Sequence, residues 1–171
     1  MPLHQRILLI GCGGSGKSTL ARRLGEATGL PVVHLDQLYW KPGWQPVSRE
    51  EFDSLLTREL EKPAWIMDGN FNRTIPMRLE RCEAVIYLDP PRLVCLMSVI
   101  RRVLSKLGRT RPDMGEGCPE RFDFSFLKWV WNFNREKREK YLSLLNNCGK
   151  TVYRIRSRKE LPALIRKLSE N

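Results

Sequence analysis

The feature that most constrains this chain is an eight-residue run near its start, Gly11-Cys12-Gly13-Gly14-Ser15-Gly16-Lys17-Ser18. The run fits the pattern G-x-x-x-x-G-K-[ST], in which glycines let the backbone fold around phosphate groups with its N–H groups pointing inward. An apolar stretch, residues 6–10, precedes the run, and a helical pattern follows it. Because this strand–loop–helix order is the context in which such a loop binds phosphate, the sequence predicts a phosphate-binding loop.

The loop also predicts individual ligand contacts. Lys17 is expected to neutralise the β- and γ-phosphates of a nucleotide and the Ser18 hydroxyl to bind Mg²⁺, so ATP and Mg²⁺ are the expected cofactors. A chance match in a chain of this length is roughly one in a few hundred, which disfavours a plain glycine-rich turn. The residues predicted to bind the nucleotide here are Gly11, Gly13, Gly14, Ser15, Gly16, Lys17, Ser18 and Thr19.

Hydrophobic patterning alternates between strands and helices along the rest of the chain. Short apolar runs predict strands at residues 6–10, 32–35, 65–67, 84–88 and 151–155, and helical periodicity predicts helices at 17–28, 48–61, 91–107, 124–146 and near the C-terminus. Such alternation is typical of an α/β fold whose parallel sheet is covered on both faces. With no linker or repeat, we expect one domain spanning residues 1–171. Residues 108–118 show no periodicity and are rich in glycine, proline and charge, so they are expected to form a mobile excursion.

The balance of charge indicates polyanionic partners. The 30 Lys and Arg residues against 19 Asp and Glu give a formal net charge of +11, which suits nucleotide phosphates or nucleic acid; a basic surface that only aids solubility is the alternative. No apolar run approaches the ~18 residues of a membrane helix. Residues 1–6 lack the apolar core of a signal peptide, and the five cysteines include no C-x-x-C pair. We therefore expect a cytoplasmic protein with reduced thiols, no zinc site and no membrane partner.

Six segments of the chain together resemble one family. They are GCGGSGKSTLA at residues 11–21, HLDQLYWKPGW at 34–44, WIMDGNFNRT at 65–74, IYLDPPR at 86–92, RPDMGEGCPERFD at 111–123 and the helix that carries Trp129 and Trp131. Over nearly its whole length the chain resembles the DNA topology modulation protein family, a branch of the adenylate-kinase-like P-loop kinases. The resemblance implies a three-layer P-loop NTPase fold with a five-stranded parallel sheet in the order 2-3-1-4-5 and a lid at about residues 108–122.

The resemblance also implies roles for three residues around the loop. In the implied strand order Asp68 lies beside the loop and holds Mg²⁺ through water; its alternative role is the acid of a D-G turn. Asp36, where the second strand ends, lies in the acceptor pocket of kinases of this build and could take a proton from an attacking hydroxyl; a helix or turn cap is the alternative. Arg73 resembles the adenylate kinase arginine that contacts the acceptor or the transferred phosphate, and a surface arginine is its alternative.

The same resemblance implies roles for arginines near the lid. Lid arginines of adenylate-kinase-like proteins close over the phosphates, which implies catalytic roles for Arg109 and Arg111 and a nucleotide contact for Arg102. A solvated charged face is the alternative for any one of them. Such kinases often carry a further arginine, four residues before the position of Arg102, that packs on the base; here Ser98 stands there, and Arg158 is the other candidate base contact.

The leading expectation is an ATP- and Mg²⁺-dependent phosphotransferase that acts on a small molecule. Because the Asp36 carboxylate repels a phosphate but suits a neutral hydroxyl, whereas Arg73 could bind an anion, we expect a hydroxyl acceptor that carries one remote anionic group. The alternatives are a nucleotide-regulated DNA-binding protein and an ATPase that transfers to water. The chain shows no helix-turn-helix, zinc-finger or RNA-recognition signature, so any binding to duplex DNA is expected to be weak and indifferent to sequence.

Overall fold

Seven strands form two sheets in a computed structural model that describes residues 2–170. They are β1 (Arg6–Gly11), β2 (Val32–His34), β3 (Trp40–Lys41), β4 (Gln45–Pro46), β5 (Trp65–Asp68), β6 (Ala84–Leu88) and β7 (Thr151–Ile155). The large sheet is parallel and has the order β2-β5-β1-β6-β7, with β3 and β4 forming a separate hairpin. Counting only the strands of the large sheet, this is the predicted order 2-3-1-4-5.

Helices cover both faces of the large sheet. They are α1 (Lys17–Thr28), α2 (Leu35–Tyr39), α3 (Arg49–Leu60), α4 (Ile75–Arg81), α5 (Arg92–Lys106), α6 (Phe124–Glu136), α7 (Arg138–Asn146) and α8 (Leu161–Ser169). Successive side chains of β1 point to opposite faces, so Ile7 and Leu9 pack with α1 and α8, whereas Leu8 and Ile10 pack with α3 to α7. The predicted three-layer α/β fold is therefore confirmed. No helix in residues 2–170 has the apolar length that a membrane crossing requires.

Three parts of the chain differ from the predicted elements. Strand β2 ends at His34 and α2 begins at once, so Asp36 lies in the first turn of a short helix rather than at a strand end. The helix predicted at residues 124–146 is two helices, because Lys137 between α6 and α7 has a φ of −114°, far from helical values. The β3–β4 hairpin and α4 were not predicted, since elements of two to seven residues are too short to show periodicity.

Residues 108–122, which we call the lid segment, fold against the β3–β4 hairpin. The backbone N–H of Gly43 donates to the Gly117 carbonyl at 2.9 Å. A Cβ atom on Gly115 would lie 2.1 Å from the carbonyl oxygen of Trp40, so only glycine permits this approach of the two segments. Glycines that suggested flexibility therefore serve as close packing contacts, and the mobility of the segment stays a prediction.

A buried arginine organises the turn that follows β5. The Arg78 side chain on α4 is fully buried and donates hydrogen bonds to the backbone oxygens of Gly69 (2.7 Å), Asn70, Phe71 (3.1 Å) and Thr74 (3.3 Å). In the described part of the chain no carboxylate forms an ion pair with it. Burial lowers the pKa of Arg78 to about 10, so the guanidinium stays charged at neutral pH and carbonyl dipoles take the place of a counter-ion.

Replacement of Arg78 by methionine tests this arrangement. We expect Arg78→Met to lower the free energy of unfolding by about 3 kcal/mol, because several buried carbonyls lose their donor. Arg81→Met is the matched control, since Arg81 is exposed on the same helix, and it should change stability by less than about 0.5 kcal/mol. Urea unfolding followed by circular dichroism at pH 7 measures both, and equal losses in the two variants would contradict the assignment.

Candidate active site

The loop after β1 is wedged between β6 and α5. A Cβ atom on Gly11 would lie 2.3 Å from the carbonyl oxygen of Leu88, and one on Gly14 would lie 2.4 Å from that of Cys95. Gly16, at the start of α1, has no neighbouring atom within 4 Å of the Cβ position. The loop is therefore tightly packed behind but open at the helix N-terminus, where backbone N–H groups attract an anion.

An asparagine side chain holds the first residue of the loop. The Gly11 N–H donates to Asn70 Oδ1 at 3.0 Å, and Asn70 Nδ2 donates to the Gly11 carbonyl at 2.7 Å. Asn70 is itself held by the hydrogen bond from Arg78 to its backbone oxygen. Sequence reasoning missed this contact, although Asn70 directly follows Asp68 and Gly69 at the end of the strand that neighbours β1.

The loop already contains the positive charge that a phosphate requires. Lys17 Nζ donates to the carbonyls of Gly11 at 3.0 Å and Cys12 at 2.9 Å, so the ammonium lies across the loop. The hydroxyl oxygen of Ser15 is buried in the same loop and has no hydrogen-bond partner among the described residues. An unpaired buried hydroxyl is costly, and an anion bound in the loop would give it a partner.

The loop opens into a cleft of about 580 Å³ at the carboxyl edge of the sheet. Ten of the predicted site residues line it: Gly13, Gly14, Gly16, Lys17, Ser18, Thr19, Asp36, Asp68, Arg102 and Arg111. Three carboxylates that sequence reasoning did not assign, Asp113, Glu120 and Asp123, also line it. The fold therefore brings most of the predicted residues together around one space.

Two predicted catalytic arginines do not reach the cleft. Arg73 is exposed and its guanidinium pairs with the Asp53 carboxylate on α3, with Nη1 2.9 Å from Oδ2. Arg109 is exposed in the lid segment and is not part of the cleft wall. The roles predicted for them by resemblance do not fit this arrangement, because a nearby carboxylate holds one and solvent surrounds the other.

One carboxylate oxygen of Asp68 has a hydrogen-bond partner among the described residues and the other has none. His34 Nδ1 donates to Asp68 Oδ2 at 2.9 Å, and both side chains are buried. The pairing follows from the register, since these two residues lie opposite each other on β2 and β5. Oδ1 of Asp68 is buried without a hydrogen-bond partner in the described residues, although the residue lines the cleft.

This donor set fits Mg²⁺. Magnesium prefers oxygen ligands and usually takes one or two from the protein, with substrate phosphates and water completing the octahedron. Ser18 and the unpaired oxygen of Asp68 line the same cleft beside the phosphate loop. In residues 2–170 no group of three His, Cys, Asp or Glu side chains is arranged to hold a metal, so a metal here would depend on the phosphates of a nucleotide.

Asp36 is a carboxylate with a pKa close to neutrality. Burial in the cleft wall raises the pKa of Asp36 to about 6, and the negative charge of Asp68 adds to the effect. The positive charges of Arg111 and Lys17 act in the opposite direction. Because a base works best when its pKa lies near the working pH, Asp36 is suited to accept a proton.

Alternating charges connect α5 to the lid segment. Arg102 Nε lies 3.1 Å from Glu120 Oε1, the same carboxylate contacts Arg111, and Arg111 Nη1 lies 2.6 Å from Asp113 Oδ2. Both carboxylates are buried. Burial lowers the pKa of Arg102, and the neighbouring Arg111 charge lowers it further. Sequence reasoning missed the two acids because carboxylates in a glycine- and proline-rich segment look like solvated charges.

The candidate base contact Arg158 lies beside Ser98 in the cleft wall. Arg158 Nη2 donates to the Ser98 hydroxyl at 2.8 Å, and both residues line the cleft. Ser98 is the position where adenylate-kinase-like proteins often have arginine. The Arg158 guanidinium therefore lies next to position 98, and its planar group is of the kind that stacks on a planar base.

Comparison with known proteins shows what the fold resembles. No protein-family model matches the chain, and no curated protein matches it. Among solved structures, a shikimate kinase from Acinetobacter baumannii in complex with shikimate matches with a TM-score of 0.62 and 16% identity, over 96% of this chain and 93% of that one. A gluconokinase from Sinorhizobium meliloti 1021 matches with a TM-score of 0.56 and 15% identity, over 98% and 91% of the two chains. At this level of identity the likeness shows that the chain shares their P-loop α/β fold.

Loss of the two hydrogen bonds between Asn70 and Gly11 should weaken nucleotide binding. We expect Asn70→Ala to lower the affinity for ADP about tenfold, because two hydrogen bonds of about 1 kcal/mol that order the loop are lost. Asn146→Ala is the control, since Asn146 is exposed at the end of α7. Isothermal titration calorimetry measures both affinities, and an unchanged value for the Asn70 variant would contradict a positioning role.

The pKa of Asp36 predicts a pH-dependent change in stability. Because its folded pKa of about 6 exceeds the unfolded value of about 3.9, the stability this group contributes is present below pH ~4 and lost as pH rises through about 6. Asp36→Asn should therefore raise the free energy of unfolding at pH 8, on the order of 2 kcal/mol, and change it little at pH ~4. Denaturant unfolding across this range measures the difference, and a constant difference would refute the shift.

Proposed function

We propose that this chain is an ATP- and Mg²⁺-dependent kinase that transfers a phosphoryl group to a hydroxyl of a small molecule. The observation that carries the proposal is the Asp36 carboxylate, whose pKa is raised to about 6 in the cleft that also holds the phosphate loop. A carboxylate there disfavours a phosphate acceptor through repulsion and suits a hydroxyl, whose proton it can accept. The two solved structures that share the fold are named as kinases, which favours phosphoryl transfer over simple binding.

At the nucleotide end, the chain supplies positive charge and backbone donors. The loop N–H groups at the start of α1 bind phosphate oxygens, and Lys17 exchanges its two carbonyl partners for them. Arg111, on the cleft wall, stabilises the charge that spreads over the transferring group. The Ser18 hydroxyl and the free oxygen of Asp68 would hold Mg²⁺, which when bound offsets negative charge on the phosphates.

At the acceptor end, Asp36 positions the attacking group. Its carboxylate accepts a hydrogen bond from the acceptor hydroxyl and takes the proton as the new O–P bond forms and the bond to the bridging oxygen of ATP breaks. Trp40 and Trp44, in edge contact with centroids 5.6 Å apart, form an apolar wall of the same cleft. This wall can exclude water from the reaction and stack on the acceptor.

The acceptor's charge is less constrained than the sequence suggested. The expected remote anionic group depended on Arg73, and that guanidinium is paired with Asp53 outside the cleft. Arg121, which lies over the Trp44 ring at 5.1 Å, is a cation on this wall that has no ion pair in residues 2–170. The proposal therefore specifies a hydroxyl acceptor and leaves the second group open.

The resemblance to the DNA topology modulation protein family stays a prediction. No specific contact in the described residues favours duplex DNA, and several of the arginines that raise the net charge are paired within the cleft.

An ATPase that transfers to water differs from the proposed kinase in one measurable respect, because only a kinase releases ADP in proportion to an added acceptor.

An acceptor screen with Asp36 variants tests the proposal. Purified protein, ATP and Mg²⁺ should release ADP with a hydroxyl compound, such as a sugar, polyol, nucleoside or hydroxy acid, in preference to nucleoside monophosphates. The value of kcat/KM should rise with pH through about 6 and then level, because Asp36 acts when deprotonated. Asp36→Asn should lower kcat by roughly 10²-fold or more with ADP affinity unchanged.

Lys17→Ala provides the contrasting variant. It should abolish turnover and weaken nucleotide binding, because it removes the loop's charge, while the melting temperature without ligand changes by only a few degrees. The proposal fails if monophosphates are the best acceptors and Asp36→Asn keeps its rate. It also fails if no acceptor accelerates ADP release.

A further inference from the structure

Glu120, near the end of the lid segment, is a buried carboxylate between two arginines from different elements. Its Oε1 lies 3.1 Å from Arg102 Nε on α5 and also contacts Arg111 Nε in the lid segment, and its side chain is 5% exposed. The Glu120 N–H donates to the Arg109 carbonyl at 3.0 Å, and the Glu120 carbonyl accepts a hydrogen bond from the Gly108 N–H at 3.0 Å. The backbone therefore fixes the carboxylate at its root, beside both guanidiniums.

The two guanidiniums repel each other, and Glu120 offsets this repulsion. Both arginines line the cleft that opens from the phosphate loop. Burial lowers the pKa of Arg102, the charge of Arg111 lowers it further, and the charge of Glu120 acts in the opposite direction. Because like charges repel strongly where little water is present, two neighbouring guanidiniums need a negative charge between them to remain in the cleft wall.

The pairing leaves hydrogen-bonding groups of both arginines unused. Nε of Arg102, Nε of Arg111 and Oε1 of Glu120 are buried, and none of these three atoms makes a hydrogen bond within residues 2–170. The contacts between them are therefore electrostatic. A buried donor without a hydrogen bond is unfavourable, and phosphate oxygens accept strong, charge-assisted hydrogen bonds from guanidinium groups. A bound phosphate would thus satisfy donors that Glu120 holds in place without satisfying them.

Other contacts already hold the lid segment in place. The Gly43 N–H donates to the Gly117 carbonyl at 2.9 Å, and the Cys118 thiol donates to the Lys41 carbonyl at 3.2 Å. A buried ion pair contributes little net stability compared with apolar side chains of similar size. The docking of the segment therefore does not explain why a charged residue is buried at position 120, whereas the two arginines do.

We propose that Glu120 is a positioning residue for phosphoryl transfer, which holds the guanidiniums of Arg102 and Arg111 in the cleft wall so that their unused N–H groups can bind phosphate oxygens. This inference rests on the proposed function, because it assumes a transferring phosphoryl group in the cleft. Glu120 contacts no substrate in this scheme and acts only through the arginines. Groups that are in place before the reaction stabilise the developing charge without a further cost of reorganisation.

A double-mutant cycle on Glu120 and Arg111 tests the inference. With ATP, Mg²⁺ and the best acceptor from the screen, Glu120→Gln should lower kcat about tenfold or more, because a misplaced guanidinium stabilises the transferring group poorly. In the Arg111→Met variant the same substitution should lower kcat no further, because the group that Glu120 positions is already absent. Glu116→Gln is the matched control, since Glu116 is exposed in the same segment and outside the cleft wall, and it should leave kcat and KM unchanged.

A purely structural role for Glu120 predicts a different pattern. If the carboxylate only stabilised the lid segment, Glu120→Gln would lower kcat by the same factor in the wild type and in Arg111→Met, and that result would overturn the inference. An unchanged kcat in Glu120→Gln would overturn it as well, while leaving the proposed function intact. If no acceptor accelerates ADP release in the wild type, the proposed function fails and the inference fails with it.

Nuclear magnetic resonance on the wild type gives a test that does not depend on the folding of the Glu120 variant. Isotope-labelled arginine makes the Nε–H groups visible, and the spectra of Arg102→Lys and Arg111→Lys assign the two signals. A non-hydrolysable ATP analogue with Mg²⁺ should slow hydrogen exchange at both groups, because they become hydrogen-bonded to phosphate oxygens. Unchanged exchange at both groups, with the analogue shown by calorimetry to be bound, would overturn the inference.

Discussion

The buried guanidinium of Arg78 is the interaction on which the rest of the cleft depends. A guanidinium presents five donors in a rigid plane, and here that plane is matched by backbone carbonyls of the turn after β5. Once the turn is fixed, the side chain of Asn70 is held where it pairs with both polar groups of Gly11. The shape of the phosphate loop is therefore set from the neighbouring strand, through a short series of hydrogen bonds that begins at one charge.

Ion pairs within the cleft decide how much of the chain's positive charge is available to a ligand, and the net charge alone does not show this. The chain has a formal charge of +11, yet Arg102 and Arg111 in the cleft lie against the buried carboxylates of Glu120 and Asp113. Phosphates must compete with these carboxylates for the arginines, so affinity depends on what else the ligand carries. A cleft built in this way discriminates between polyanions more strongly than an unpaired basic surface does, because desolvated like charges repel at short range.

The sequence predicts the parts of this molecule that follow from local pattern. The loop and the alternating strands and helices are predicted from a motif and from hydrophobic periodicity, whereas the strand order and the cleft positions of Asp36 and Asp68 follow from the family resemblance. Asn70 and Arg78 were missed, since a buried arginine without a carboxylate partner looks in sequence like any helical surface arginine. Arg73 was given a place in the cleft by resemblance, but a single acidic neighbour on α3 holds it elsewhere. The positions of these side chains depend on tertiary contacts, which the spacing of residues in the sequence does not predict.

The contact between the lid segment and the β3–β4 hairpin constrains how the cleft can open. The Gly43 N–H donates to the Gly117 carbonyl, and the Trp44 indole N–H donates to the Pro119 carbonyl, so two hydrogen bonds join the segments. A motion that lifts the lid segment from the cleft must break these bonds or carry the hairpin along, and in the second case Trp40 and Trp44 move with it. The exposure of the cleft under the lid segment is thus coupled to the position of the tryptophan wall, and the two change together when the hairpin moves.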